Sequence, residues 1–346
     1  MLAGQAREIA RRWVAEHAVG APGFAGAYFA GSITALAGAA EFPATSDIDV
    51  WVVHDEGSPS GEHGKLPYGG VTLDVAYVPL ERLGSAEAIL ADYHVAGAFR
   101  SPNVIADPSG WLTALQAAVS KDFARWTWVL RRCEHARDHA LRNARSLPRF
   151  DDFNDQAIAW LFANGIMTHV LLVAGLRNPT VRRRYAAVRE LLEDYGQLAF
   201  HEVLLGSLGC REVGRERAER HLAALEDAFD AAKGVAAGAP LPFAANISDA
   251  ARAIAVDGSR ELIEAGLHRE AVFWIAVTQA RCQKLLHGAA PEAAARFEPA
   301  FRDLLADLGI TSPGDLQRGA GQVEALLPDV WLVAAAIMAT NPEIVE

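Results

Sequence analysis

The segment "GSITALAGAAEFPATSDIDVWVV", residues 31–53, contains the signals that decide the fold of the N-terminal part of this chain. It opens with a glycine–serine pair and closes with a run that predicts a β-strand over 47–53. Successive side chains on a strand point to opposite faces, so Asp47 and Asp49 share one face and the apolar residues between them share the other. Two carboxylates in this arrangement repel each other, which costs stability unless a cation lies between them.

Two more strands are predicted around this segment. The small apolar stretch "AGAYFAG" (25–31) precedes the glycine–serine pair, and the alternating stretch "VTLDVAYVPL" (71–80) contains a third acid, Asp74. Residues 54–70 are rich in Gly, Pro and Ser and predict a loop or a wide hairpin connection. If the strands at 47–53 and 71–78 lie in one sheet, Asp74 can join the first two aspartates.

The rest of the chain has helical periodicity from about Trp111 onward, apart from a Gly-, Ala- and Pro-rich linker at 234–249. The sequence therefore predicts an α+β fold, with a small mixed β-sheet domain followed by a larger all-helical region in one or two bundles. The predicted domains are 1–115, 116–235 and 246–346.

The composition narrows the class of protein. The net charge of −11 argues against a long nucleic acid as substrate, and it suits a cationic small molecule. The three cysteines, Cys133, Cys210 and Cys282, are far apart and odd in number, which argues against a disulfide framework and a thiolate zinc site. We expect a cytoplasmic protein, and the amphipathic N-terminus predicts a first helix and not a secretory signal.

One apolar stretch, 157–176, contains no charged residue and is long enough to span a bilayer. Asn164, Thr168 and His169 interrupt it, so we predict a buried helix of a bundle and no membrane span. These polar side chains could line a cleft or form hydrogen bonds inside the core, and the sequence leaves both possibilities open.

The three aspartates suit magnesium chemistry. Hard oxygen ligands are the donors that Mg²⁺ prefers, and carboxylates around two such ions form a two-metal site for phosphoryl or nucleotidyl transfer. Asp74 could also take the proton of an attacking hydroxyl. Gly31 and Ser32 would offer backbone N–H groups and a hydroxyl to a phosphate.

The pattern "GS…SDIDVWVV" followed by Asp74 resembles the DNA polymerase β-like nucleotidyltransferase superfamily over about 20–110. With its helical region the chain looks most like the antibiotic nucleotidyltransferases that act on aminoglycosides and lincosamides, and their uncharacterised relatives. The resemblance implies that Gly31 and Ser32 hold the triphosphate, that Asp47 and Asp49 bind Mg²⁺, and that Asp74 completes the metal site or acts as base.

One departure concerns the spacer between Ser32 and Asp47. These residues are fifteen positions apart, which is longer than the family pattern. The extra residues could extend a loop over the nucleotide, or they could displace the phosphate-binding turn.

The resemblance implies Mg²⁺-dependent transfer of a nucleoside monophosphate, AMP from ATP or another NTP, to a hydroxyl of a small molecule such as an aminoglycoside-like antibiotic, with release of pyrophosphate. Two alternatives stay open. The acceptor could be a protein or a tRNA, as in toxin–antitoxin systems, or the chain could be a non-catalytic nucleotide-binding regulator.

Two further motifs have simpler explanations. His135 and His139 have the i,i+4 spacing of a helical zinc pair, but a solvated helix face is favoured because no third ligand is evident. The cluster 182–184 of three arginines could clamp a phosphate, although the solvated first turn of a helix is slightly favoured.

Overall fold

The computed structural model describes residues 1–55, 61–178 and 180–346, and only the backbone of residues 61–63. The chain forms two compact units, and the α+β prediction is confirmed. The division into 1–115, 116–235 and 246–346 stays a prediction. The sheet unit comprises Met1–Arg132, Leu176–Pro179 and Pro342–Glu346, and the helical unit comprises Cys133–Gly175 and Thr180–Asn341.

A mixed sheet forms the centre of the sheet unit. Within the described residues it has five strands in the order β3-β4-β2-β1-β5; β2 and β4 are parallel and the other neighbours are antiparallel. The predicted strands at 25–31, 47–53 and 71–80 are confirmed to within one residue at each end. The strands are β1 Phe24–Ala30, β2 Asp47–His54, β3 Gly61–Tyr68, β4 Val71–Pro79 and β5 Val104–Ala106.

The prediction of a loop or wide connection over 54–70 is wrong for residues 61–68, because these residues form β3. Positions 56–60 lie outside the described residues. A strand can include Pro67 here because β3 is at the edge of the described sheet, where one side of the backbone needs no ladder partner. Gly69 and Gly70 both have positive φ and form the two-residue turn into β4.

One face of the sheet is buried against the first helix, α1, as the alternation predicts. Ile48 and Val50 of β2 are fully buried, and they belong to one apolar cluster with Trp13 and Val14 of α1. Burying a side chain of this size contributes about 1.5–3 kcal/mol. The intervening aspartates therefore point to the opposite face. The helices within residues 1–146 are α1 Ala3–His17, α2 Leu80–Leu83, α3 Ala86–Ala91, α4 Trp111–Asp122 and α5 Trp126–Ser146.

The helical unit contains the predicted buried helix, α6, whose N-cap Asp152 accepts a hydrogen bond from the backbone N–H of Asp155. The further helices are α7 Arg184–Asp194, α8 Ala199–Leu208, α9 Arg215–Ala236, α10 Asp249–Arg252, α11 Gly258–Glu264, α12 His268–Ala289, α13 Pro291–Asp307 and α14 Pro313–Thr340; α6 spans Phe153–Ala174.

The polar residues of α6 have partners inside the helical unit. Thr168 donates its hydroxyl proton to the carbonyl of Gly165, and Asn164 accepts a hydrogen bond from the hydroxyl of Ser207. This supports core polarity over a cleft lining. By length and composition α6 and α14 could each cross a membrane, but 89% of the apolar window of α6 is buried inside the protein, as is usual for a core helix.

Candidate metal centre

The strand register places three site residues, Lys65, Asp74 and Asp49, in one row across the sheet. Lys65 of β3 pairs with Asp74 of β4, Asp74 pairs with Asp49 of β2, and Asp49 pairs with Ala30 of β1. Directly paired residues point to the same face of a sheet, and Asp47 shares that face because it precedes Asp49 by two residues. The hypothesis that Asp74 joins the other two aspartates is confirmed.

The three aspartates converge closely enough to share a cation. One carboxylate oxygen from each of Asp47, Asp49 and Asp74 lies within 4.8 Å of the others. Among the described residues this is the one group of three or more His, Cys, Asp or Glu side chains that could hold a metal ion. The side chains of Asp47 and Asp74 are 21% and 23% exposed, so a ligand from solvent can reach their oxygens.

The three aspartates, called the triad below, repel one another, and a bound cation would offset this repulsion. Burial raises the pKa of Asp49 well above its ordinary value, and the negative charges of Asp47 and Asp74 raise it further. The neighbouring Lys65 opposes this effect. A hard divalent cation fits this set of oxygen donors, because it would compensate the charge that the protein has gathered there.

Lys65 supplies the positive charge that the described structure places at this site. Its ammonium group forms ion pairs with the carboxylates of Asp47 and Asp74, and its side chain is only 9% exposed. Burial alone would lower the pKa of Lys65, but the two carboxylates outweigh that effect and raise it. Lys65 was not predicted from the sequence, although a Gly69–Gly70 hairpin turn places it opposite Asp74.

Gly31 lies directly against the triad. The chain leaves β1 at Ala30 and enters a 3₁₀ turn, Gly31–Ala35, with Gly31 at a φ of +62°. A Cβ on this residue would lie 1.7 Å from Oδ2 of Asp49. Both the backbone conformation and the lack of space therefore require glycine. Ser32 follows on the same turn and is exposed.

Two distant side chains hold the carbonyl groups of this turn. The guanidinium of Arg7 donates to the carbonyls of Ile33 and Leu36, each at 2.5 Å. The amide of Asn178 donates to the carbonyl of Gly31 at 2.9 Å. Neither residue was predicted from the sequence. Asn178 lies 147 positions from Gly31, so no local pattern connects the two.

The long spacer between Ser32 and Asp47 contacts the start of α1. The backbone N–H of Ala3 donates to the carbonyl of Ala40 at 2.8 Å, and that of Gly4 donates to the carbonyl of Gly38 at 2.9 Å. The first N–H groups of a helix have no partner within the helix, so these bonds cap α1. The extra length of the spacer thus has a structural use.

The other motifs acquire structural explanations. Arg184 is buried over the ring of Phe273, so a solvated helix turn is the wrong interpretation for this arginine. Arg182 donates to the carbonyl of Gly258 at 2.6 Å within the same unit. Neither observation supports a phosphate clamp. In the described part of the chain, no further ligand joins His135 and His139 in a group of three.

No protein-family model matches the chain, and no curated protein matches it. The resemblance to nucleotidyltransferases therefore rests on the residues themselves, namely the glycine–serine pair, the two aspartates of β2 and the third aspartate.

Proposed function

We propose that the protein is a Mg²⁺-dependent nucleotidyltransferase that moves AMP from ATP, or another nucleoside monophosphate from its NTP, to a hydroxyl of a small molecule. The observation that supports this most directly is the convergence of Asp47, Asp49 and Asp74 within 4.8 Å, with the Gly31 turn packed against Asp49. A carboxylate cluster beside a glycine turn is what metal-assisted chemistry on a phosphate needs.

In the proposed reaction the acceptor oxygen forms a bond to the α-phosphorus of the nucleotide. The bond from this phosphorus to the oxygen that bridges to the β-phosphate breaks, and pyrophosphate leaves. Asp74 takes the proton of the acceptor hydroxyl or serves as a third metal ligand. Asp47 and Asp49 would hold Mg²⁺, which would supply charge neutralisation and would make the acceptor hydroxyl more acidic.

The Gly31–Ser32 turn is the proposed site for the triphosphate. Arg7 and Asn178 hold carbonyl groups of this turn, so its backbone conformation is fixed before a ligand arrives. The hydroxyl of Ser32 is on an exposed residue and can meet a phosphate oxygen. A turn fixed in advance loses less conformational entropy when it binds, which favours affinity.

The proposed acceptor is a cationic small molecule with several hydroxyl groups, such as an aminoglycoside-like compound. The net charge of −11 supports this choice, because an acidic protein attracts cations and repels the phosphate backbone of a tRNA. Nucleotidylation of a protein or a tRNA stays the alternative.

Calorimetry tests the nucleotide site directly. ATP is titrated with and without Mg²⁺ into the wild type, into the double variant Asp47→Asn/Asp49→Asn, and into Asp55→Asn, which alters an exposed aspartate just after β2. We expect Mg²⁺-dependent binding to the wild type and to Asp55→Asn, and loss of the Mg²⁺ dependence in the double variant. Failure of the folded wild type to bind any NTP with Mg²⁺ would overturn the proposal. Pyrophosphate release is then measured against a panel of hydroxyl-bearing acceptors.

A further inference from the structure

Lys65 provides a cation that is already part of the protein at the triad. Its ammonium contacts Asp47 and Asp74, two of the three side chains that could hold a metal ion. The strand register fixes this position, because Lys65 pairs directly with Asp74 and points to the same face.

We propose that Lys65 is a resident counter-ion of the metal-free site, and that its ammonium must leave the aspartates before a divalent cation can bind them. The consequence is a site that binds a metal–triphosphate complex in preference to the bare metal. This second part rests on the proposed nucleotidyltransferase function, whereas the first part does not.

Both charge and geometry require the Lys65 ammonium to move when a divalent cation binds. The ammonium is paired with Oδ2 of Asp47 and Oδ2 of Asp74, two of the three carboxylates that could hold a metal ion. A carboxylate that is shared between two cations binds each of them less strongly than it would bind one alone. An ammonium that stayed beside a divalent cation would be repelled by it. Because the Lys65 side chain is 9% exposed, its head group has to move out of a largely enclosed position.

The selectivity depends on where the displaced ammonium of Lys65 goes. A bare metal ion would displace the ammonium from its two carboxylates without bringing a negatively charged group to replace them. A triphosphate that arrives with the metal brings several negative charges to the same place, and these can accept the displaced ammonium. Metal and nucleotide should therefore bind more tightly together than either binds alone.

A purely structural role for Lys65 makes the opposite prediction. If the ion pairs only anchor the edge strand β3 to β4, replacing Lys65 loosens the three aspartates and weakens metal binding. If Lys65 competes with the metal, replacing it strengthens the binding of a bare cation.

The experiment is a Mn²⁺ titration without nucleotide. Binding is monitored by calorimetry and by the electron paramagnetic resonance signal of free Mn²⁺. The proteins are the wild type, Lys65→Met, Lys65→Arg, and the control Lys121→Met, which alters an exposed lysine of α4. We expect Lys65→Met to bind Mn²⁺ about tenfold more tightly than the wild type, and Lys65→Arg and Lys121→Met to stay near the wild type. Equal or weaker Mn²⁺ binding by folded Lys65→Met would overturn the proposal.

A second measurement uses the wild type alone, in case Lys65→Met does not fold. The rate at which an amine-reactive reagent acylates Lys65 is followed by mass spectrometry. We expect slow acylation without metal and faster acylation at saturating Mn²⁺, since the ammonium is then released. An unchanged rate at saturating Mn²⁺ would count against displacement.

The selectivity arm repeats the Mn²⁺ titration with ATP present. We expect ATP to tighten Mn²⁺ binding more in the wild type than in Lys65→Met; an equal effect in both would refute selectivity. One combined outcome separates the two proposals: the wild type binds no ATP, and Lys65→Met still binds bare Mn²⁺ more tightly than the wild type. That outcome would refute the proposed function and the selectivity, and it would support the role of Lys65 as a counter-ion.

Discussion

Gly31 and Asp49 are in contact through the backbone of one and the carboxylate of the other: a Cβ on Gly31 would lie 1.7 Å from Oδ2 of Asp49. The contact arises because β1 and β2 pair so that Ala30 lies beside Asp49, and the chain turns immediately afterwards. The turn proposed to bind phosphate and a proposed metal ligand therefore form one structural unit, and a change in either should disturb both.

The variant Gly31→Ala should lose metal binding as well as stability. Alanine at a positive φ costs about 1–2 kcal/mol of strain, and here its methyl group also has to displace the Asp49 carboxylate. Gly110→Ala is the matched control, because Gly110 has a φ of +76° and, among the described residues, its chain neighbours aside, no other residue comes within 4 Å of the position that an added methyl group would take. Urea denaturation and Mn²⁺ titration measure the two effects. Equal losses of stability, with unaltered Mn²⁺ binding by Gly31→Ala, would contradict this prediction.

The variant Asn178→Ala should weaken nucleotide binding with little effect on bare Mn²⁺. It removes the hydrogen bond to the carbonyl of Gly31, and a bond of this kind contributes about 0.5–1.5 kcal/mol. We expect a roughly threefold to tenfold higher dissociation constant for Mg²⁺–ATP. Asn143→Ala is the control, since it removes a hydrogen bond that the side-chain amide of Asn143 donates to the carbonyl of His139 in α5. The same affinity for both variants would argue against a positioning role for Asn178.

The cysteines should be unreactive in the native protein. Cys133, Cys210 and Cys282 are present as thiols and are fully buried, and burial raises the pKa of the Cys210 and Cys282 thiols. The thiolate is the reactive form, so an alkylating reagent at pH about 8 should label none of them without denaturant and all of them in urea. Mass spectrometry counts the labels. Rapid, stoichiometric labelling of the native protein would show that one of these sites opens readily.

His201 should make the protein less stable as the pH falls. Burial lowers its pKa to about 4 from the ordinary 6.5, so the unfolded chain binds the extra proton first. Its contribution to stability is therefore complete above about 6.5 and is lost as the pH falls toward about 4. Oε1 of Glu270 lies 3.7 Å from Nε2 of His201, and burial raises the pKa of this carboxyl group. The contribution of Glu270 to the free energy of unfolding therefore has the opposite pH dependence and falls as the pH rises.

The variant His201→Gln separates these two effects. Thermal unfolding is compared at pH about 7.5 and about 5 for the wild type and the variant. We expect the drop in melting temperature between the two pH values to be smaller in His201→Gln. An equal or larger drop in the variant would assign the pH dependence to other groups. One such group is Glu202, because its hydrogen-bonded ion pair with Arg269 lowers the pKa of Glu202.

Some strands and contacts were predictable from the sequence and others were not, depending on whether they are determined locally or by distant segments. The strand containing Asp47 and Asp49 was predictable because alternation is local and both of its faces are visible in a few consecutive residues. The strand containing Lys65 was missed because its glycines and proline look like a loop, and only its pairing at the sheet edge makes it a strand. The burial of Arg184 was missed for a related reason, since its partner Phe273 lies far away in the chain.

The sequence by itself determined that two aspartates share a strand face, that a third lies on a later strand, and that a helical region follows. These properties depend on periodicity, which neighbouring residues impose on one another through backbone geometry. Only the tertiary structure decided that Lys65 pairs with two of the aspartates, that Gly31 lies against Asp49, and that Asn178 holds Gly31. Such contacts depend on strand register and on packing between distant segments, and these follow from the free energy of the whole chain and not from any short stretch of it.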